Sequence, residues 1–257
     1  MTNLLDRILA HHRARVADDP RITDSLLCAA QLSPSPRSLE AALSEPGLSV
    51  IAEVKRRSPS KGDIAPGLDP ASLAAAYARG GAAAISVLTD EEFFGGSMQD
   101  LAQARQASGR PVLRKDFLLS ANDVCDARLG GADAVLLIVA ALSPRELKTL
   151  FGLAQELGLD CLVEAHDEDE VETALAAGAR IVGVNQRDLR DFSVDRDRAA
   201  RLAKLVPDGI LRVAESGVSG PDDAARAAEA GYDAVLVGEL LVRSEDPAAA
   251  VRELRCS

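Results

Sequence analysis

From residue 50 onward the chain repeats one pattern. A short β-branched apolar run meets a polar or glycine turn, then an Ala/Leu/Glu/Arg-rich stretch of helical period, then glycine. The runs at 50–55, 84–88, 111–115, 134–139, 160–164, 180–185, 210–215 and 233–238 predict eight strands. Helices are predicted near 70–79, 97–108, 121–129, 143–157, 168–177, 195–205, 220–230 and 246–255. Asp69-Pro70 and Ser143-Pro144 each put a capping residue before proline at the first helical position. Gly80, Gly109, Gly130, Gly158, Gly178 and Gly231 mark helix ends. Strict alternation implies parallel pairing through right-handed crossovers, and eight repeats predict an α/β fold closed into a (β/α)8 TIM barrel. No Gly-x-Gly-x-x-Gly turn follows the first strand, which counts against an open doubly wound sheet. Residues 1–49 form an N-terminal helical extension, with helices expected at 3–15 and 38–43 around the Pro34/Pro36 turn. No linker interrupts the pattern, so 1–257 reads as a single domain, its extension across one end of the 50–257 barrel.

Strand parity places the polar residues. In the first strand Val50, Ala52 and Val54 form a wholly apolar face that must pack on helices, so Glu53 and Lys55 point into the barrel. The same argument turns Leu113 and Lys115 inward, with Leu162 and Glu164, then Gly183 and Asn185, then Val213 and Glu215. Each inward face starts apolar and ends polar at the C-terminal end of its strand, where barrel active sites lie. Glu53, Lys55, Lys115, Glu164, Asn185 and Glu215 would ring one pocket and perturb one another's protonation, as acid–base chemistry requires. The alternative is a set of internal salt bridges. Buried ion pairs are poor sources of stability, so six polar residues on one rim ask for another reason.

The ends of strands seven and eight carry Ser216-Gly217 and Gly238. Barrels often bind phosphate there through backbone N–H groups, with Lys55 available as countercharge. The polar loop Arg56-Arg57-Ser58-Pro59-Ser60-Lys61-Gly62-Asp63 is expected to form a lid, with three further cations beside the pocket. His11 and His12 are expected to be exposed on the N-terminal helix, and His166 to be a solvated surface residue. No Ser-His-Asp set is assembled at rim positions. Cys161 is expected to pack outward beside Val163.

Composition narrows the picture. The chain has 257 residues, 47% hydrophobic and 27% charged, an ordinary globular balance. The net charge of −11 argues against nucleic acid but not against a small anion in a local basic pocket. The longest apolar run, 134–142, is too short for a membrane span, and the N-terminus has no apolar signal core. Cys28, Cys125, Cys161 and Cys256 show neither Cys-x-x-Cys pairing nor zinc spacing, so reduced thiols in a cytoplasmic protein are expected. These features leave three classes open: an acid–base enzyme, another phosphate-binding barrel enzyme, and a non-catalytic barrel scaffold.

Six motifs carry a resemblance. They are Ile51-Ala52-Glu53-Val54-Lys55-Arg56-Arg57-Ser58-Pro59-Ser60-Lys61-Gly62, Phe93-Phe94-Gly95-Gly96-Ser97, Pro111-Val112-Leu113-Arg114-Lys115-Asp116-Phe117, Leu162-Val163-Glu164, Gly183-Val184-Asn185-Gln186-Arg187-Asp188-Leu189, and Ala214-Glu215-Ser216-Gly217. Together they resemble the indole-3-glycerol phosphate synthases, in order and over nearly the whole chain. The resemblance implies a (β/α)8 barrel and a decarboxylating, dehydrating ring closure in tryptophan biosynthesis, with no metal or organic cofactor. The substrate would be 1-(2-carboxyphenylamino)-1-deoxyribulose 5-phosphate, the products indole-3-glycerol phosphate, carbon dioxide and water. It implies Lys115 as leading general acid and Glu164 as acid or base in later steps. Lys55 is assigned to phosphate, to the substrate carboxylate or to dehydration, with Glu53 orienting it and serving as candidate base. Asn185, Arg187, Glu215 and Ser58 would contact substrate, and Ser216, Gly217, Gly238 and Lys55 the phosphate. The implied partner is a phosphorylated small molecule, with a monomer or weak oligomer and contact with other tryptophan-pathway enzymes. The chain departs from the pattern at Gln186, Asp188 and Leu240, the last removing a hydroxyl from the phosphate site.

Overall fold

In a computed structural model, the described residues are 3–59, 61–188, 193–195 and 197–255. Ser60 of the expected lid, Leu189 of the resemblance and Cys256 lie outside them. Eight parallel strands close into a barrel: β1 (Ser49–Val54), β4 (Ala84–Leu88), β5 (Val112–Lys115), β6 (Ala134–Ile138), β7 (Asp160–Ala165), β8 (Ile181–Asn185), β9 (Leu211–Glu215) and β10 (Ala234–Val237). β1 pairs with β4 on one side and β10 on the other. A small antiparallel hairpin, β2 (Arg57–Ser58) with β3 (Gly62–Asp63), rises from the loop after β1.

The helices between strands are α4 (Pro70–Gly80), α6 (Met98–Ser108), α7 (Ala121–Leu129), α8 (Pro144–Glu156), α9 (Glu168–Ala177), α10 (Arg198–Leu202), α11 (Pro221–Glu229) and α13 (Pro247–Arg255). Sequence caps operate as expected at Asp69, which accepts from Ser72 N, and at Ser143, which forms a capping box with Glu146. The stretch expected as a helix at 195–205 divides into α10 and a 3-10 turn, Ala203–Leu205. Two short rim helices, α5 (Glu91–Phe94) and α12 (Glu239–Val242), escaped the periodicity because four residues complete only one turn.

The extension contains α1 (Leu4–Ala17), α2 (Thr23–Gln31) and α3 (Leu39–Leu43). It does not cap one end of the barrel. α1 lies at the C-terminal mouth, where His12 meets Asp90 and Arg13 meets Glu146 and the Ala141 carbonyl. α2 runs down the flank, Thr23 Oγ1 donating to Asn122 of α7 at 2.8 Å. α3 reaches the opposite end, where Ser38 Oγ and Glu40 N donate to Asp160 at the start of β7. The polar residues of the extension thus strap the mouth to the floor. Inside the strands, Ile51, Leu113, Leu136 and Leu162 are buried and fill the barrel beneath the polar rim. Among the described residues no helix is long and apolar enough to cross a membrane.

Candidate active site

Strand ends deliver the polar residues to one place. Glu53 comes from β1, Lys115 from β5, Glu164 from β7, Asn185 from β8 and Glu215 from β9. Lys55, Ser58, Arg187, Ser216, Gly217 and Gly238 arrive on the loops that follow strands. All of them line one cavity of about 750 Å³ at the C-terminal mouth. Leu5 and Ile8 of α1 and Phe94 of α5 close its apolar side.

Two charge clusters divide the cavity. Lys55 Nζ lies 2.6 Å from Glu53 Oε1. Burial alone would raise the Glu53 pKa, but the Lys55 and Lys115 charges outweigh it and lower the value. Lys115 Nζ stands 3.7 Å from Glu164 Oε2 and 3.7 Å from Glu215 Oε2. Burial works to discharge Lys115, yet Glu164, Glu215 and Glu53 together raise its pKa above the ordinary lysine value. Glu215 moves the other way for a carboxylate. Burial first and the charge of Glu164 second raise its pKa well above normal, against the pull of Lys115. The site therefore holds a charged lysine beside a carboxyl that keeps its proton.

Glycines make the packing of these groups feasible. A Cβ at Gly183 would overlap the Glu215 carboxylate, and one at Gly238 would overlap Glu53 and stand 3.0 Å from Lys55 Nζ. Gly238, expected at the phosphate, also gives the Glu53–Lys55 pair its space. Ser216 has φ 62°, the left-handed region, alone among non-glycine described residues. Gln186 Nε2 donates to its carbonyl at 2.8 Å, and Gly217 continues with φ 75°. Asn185 Oδ1 accepts from the Arg187 backbone N–H at 3.0 Å, so it shapes the turn that carries Arg187.

Three sequence expectations change here. His12 is buried rather than exposed, its Nε2 2.8 Å from Asp90 Oδ2. His166 is not solvated: its side chain is 10% exposed, Nδ1 lies 3.0 Å from Glu170 Oε2 and Nε2 lies 3.4 Å from Glu164 Oε1. Parity held the signal, because Leu162, Glu164 and His166 are each two apart at one strand end. Only Lys61 of the three loop cations lines the cavity. Arg56 pairs with Asp100, and Arg57 donates to the Glu91 and Glu92 carbonyls. Lys61 Nζ instead sits 3.8 Å from Glu239 Oε1 across the mouth. Cys161 packs in the core as expected, and Cys28 and Cys125 are free thiols too.

His12, Asp90 and Asp116 bring their polar atoms together, but those atoms are already engaged. Asp90 Oδ1 accepts from Phe93 and Phe94 N–H groups, and its Oδ2 faces His12. Asp116 accepts from Phe117 N, Thr89 and Arg114. The cluster ties α1 to the rim, and each carboxylate oxygen in it already has at least one polar partner.

The family model for indole-3-glycerol phosphate synthase matches residues 5–254. An indole-3-glycerol phosphate synthase of a Nocardioides species is 52% identical over 255 residues, covering 98% of both chains. Indole-3-glycerol phosphate synthase 2 of Streptomyces coelicolor is 54% identical over 225 residues, 88% of this chain and 87% of the relative. Among solved structures, the thiamine phosphate pyrophosphorylase of Pyrococcus furiosus superposes with a TM-score of 0.61 at 19% identity, over 85% of this chain and 96% of the other. The N-acetylmannosamine-6-phosphate 2-epimerase of Clostridium perfringens gives 0.63 at 16%, over 80% and 93%. At such identities these two structures show the barrel fold alone.

Proposed function

The chain belongs to the indole-3-glycerol phosphate synthase family, and on that premise we propose how its own residues carry the reaction. The enzyme is a carbon–carbon lyase of the carboxy-lyase class in tryptophan biosynthesis. It closes the indole ring of 1-(2-carboxyphenylamino)-1-deoxyribulose 5-phosphate with loss of carbon dioxide and water.

A weakly nucleophilic aromatic carbon attacks the ketone, so the ketone oxygen must receive a proton as the bond forms. Lys115 supplies it. The surrounding carboxylates, Glu164 first, keep Lys115 charged, so the proton is present when substrate arrives. An aligned acid of this kind contributes about 10²–10⁴-fold. Decarboxylation then restores the aromatic ring. Glu164 serves the later steps, protonating the departing hydroxyl or accepting the carbon-bound proton. Glu215, holding its own proton, keeps a second negative charge away from Glu164.

Lys55 faces the anionic end of the substrate, oriented by Glu53. Ser216, Gly217 and Gly238 receive the phosphate through backbone N–H groups, which need no hydroxyl at Leu240. Arg187 and Ser58 meet the substrate carboxylate side, with Asn185 at the floor. The observation that carries this reading is Lys115 set between Glu164 and Glu215 on one rim. The fold works as one domain, in the cytoplasm, as a monomer or weak oligomer in contact with other tryptophan-pathway enzymes. The decisive assay follows indole absorbance or fluorescence when the carboxyphenylamino deoxyribulose phosphate meets purified, metal-free protein. Absence of product sinks the reading. Size-exclusion chromatography with light scattering checks the oligomeric state.

A further inference from the structure

We propose that His166 is a positioning residue for catalysis, a proton relay to Glu164 that Glu170 holds in place. The inference rests on the acid–base role assigned to Glu164 above.

The geometry forms a short chain. Glu170, in the first turn of α9, accepts both the His166 backbone N–H at 2.8 Å and the ring Nδ1–H at 3.0 Å. That fixes the imidazole with Nδ1 protonated and aims Nε2 inward. Nε2 stands 3.4 Å from Glu164 Oε1. Nε2 and both Glu164 oxygens are buried and have no hydrogen-bond partner of good geometry. Buried polar atoms without partners are costly, so their meeting here asks for a use. Catalytic contacts of this length commonly tighten once substrate is bound.

The charges suit the task. Three groups face the ring: Glu164 from its own strand end, Glu170 from α9 and Arg198 from α10. Burial and Arg198 favour the neutral ring, while the two carboxylates favour the charged one and prevail, raising the His166 pKa. Lys115 and Glu215 lie beyond, on the far side of Glu164.

The reaction needs such a supply. Ring closure takes up one proton at the ketone oxygen, and loss of the hydroxyl as water takes a second. Rearomatisation gives one proton back. The substrate carboxylate departs as neutral carbon dioxide, so one proton is consumed per turnover. Imidazolium passes its Nε2 proton to the Glu164 carboxylate, giving a neutral ring and a carboxylic acid. Nδ1 keeps its proton throughout, in the hydrogen bond to Glu170. Once product has left, a hydronium ion returns a proton to Nε2, which supplies the one proton that each turnover consumes.

The test compares kcat–pH profiles of the wild type, His166→Asn and Glu170→Gln in the assay with the carboxyphenylamino deoxyribulose phosphate. His166→Asn is expected to lower kcat by about tenfold or more, with KM within about twofold. It should also abolish the alkaline limb that reports His166 deprotonation, and added imidazole should restore part of the rate. Glu170→Gln, a surface-edge change that keeps the fold, should shift that limb toward lower pH, because it removes a carboxylate that holds the ring charged. A His166→Asn profile parallel to the wild type at every pH overturns the relay, as does an unmoved limb in Glu170→Gln. A Glu164→Gln control separates the two readings. Near-normal turnover there removes Glu164 itself, whereas an inactive Glu164→Gln beside an unchanged His166→Asn profile removes only the relay.

Discussion

Gln186 Nε2 donates a 2.8 Å hydrogen bond to the Ser216 carbonyl and so holds a residue with φ 62° in place. The left-handed conformation costs a non-glycine residue about 1–2 kcal/mol, and a fixed partner offsets part of that. The Gln186 side chain is long enough to reach from the end of β8 to the turn after β9. Gln186→Ala is expected to raise KM for the phosphorylated substrate about fivefold, the equivalent of one hydrogen bond of about 1 kcal/mol, with kcat nearly unchanged. Steady-state kinetics decides it. An unchanged KM would mean that the Ser216–Gly217 turn holds its shape unaided.

Lys115 is the only cation within reach of both Glu164 and Glu215 among the described ion pairs. Lys115→Ala is expected to lower kcat by about two to four orders of magnitude while circular dichroism remains that of the folded barrel. Turnover near the wild-type rate would strip Lys115 of the general-acid role.

Glu215 gives the folded state a pH signature. Its pKa is raised by burial and by Glu164, so the folded state binds this proton more tightly than the unfolded chain. The stability it contributes is complete below the ordinary carboxylate pKa and is lost as pH rises toward the folded value. Glu53 has the opposite sign: its lowered pKa contributes stability above the ordinary value, lost only in acid. Glu215→Gln mimics the protonated carboxyl. Its stability relative to wild type should increase between about pH 5 and about pH 8 in urea melts. An identical difference at both pH values would show that Glu215 ionises as an ordinary carboxylate.

His12 and Asp90 tie α1 to the mouth, each side chain 2% exposed. The His12 ring also packs 5.5 Å from Phe117. His12→Ala leaves Asp90 Oδ2 without that partner at a cost of about 1–3 kcal/mol. Because Leu5 and Ile8 on the same helix wall the cavity, the substrate KM should rise together with the loss in melting temperature. Lowered stability with an unaltered KM would separate the helix from the site.

The repeat of strand and helix was legible from residue 50 because parallel strands buried on both faces read as apolar runs, and because caps such as Ser143 and Asp69 act locally. Parity along single strands also predicted the shared rim of Glu53, Lys115, Glu164 and Glu215, since period-two alternation needs no knowledge of neighbours. The histidines resisted the same reading. His12 looked exposed because burial of one helix face depends on what covers it, and that was Asp90, 78 residues away. His166 looked like a solvated surface residue because the strand parity was not carried two residues past Glu164, to where Glu170 of α9 holds the ring.

Local pattern therefore determined the elements, their order and the direction of each strand side chain. Tertiary structure alone decided which charges meet, which is what sets their protonation. It put Lys115 between two carboxyls, crowded Glu215 past Gly183, and turned Arg56 and Arg57 away from the mouth. Coulomb interactions and desolvation fall off over a few ångströms, so they follow distances in the folded barrel and not separations along the chain.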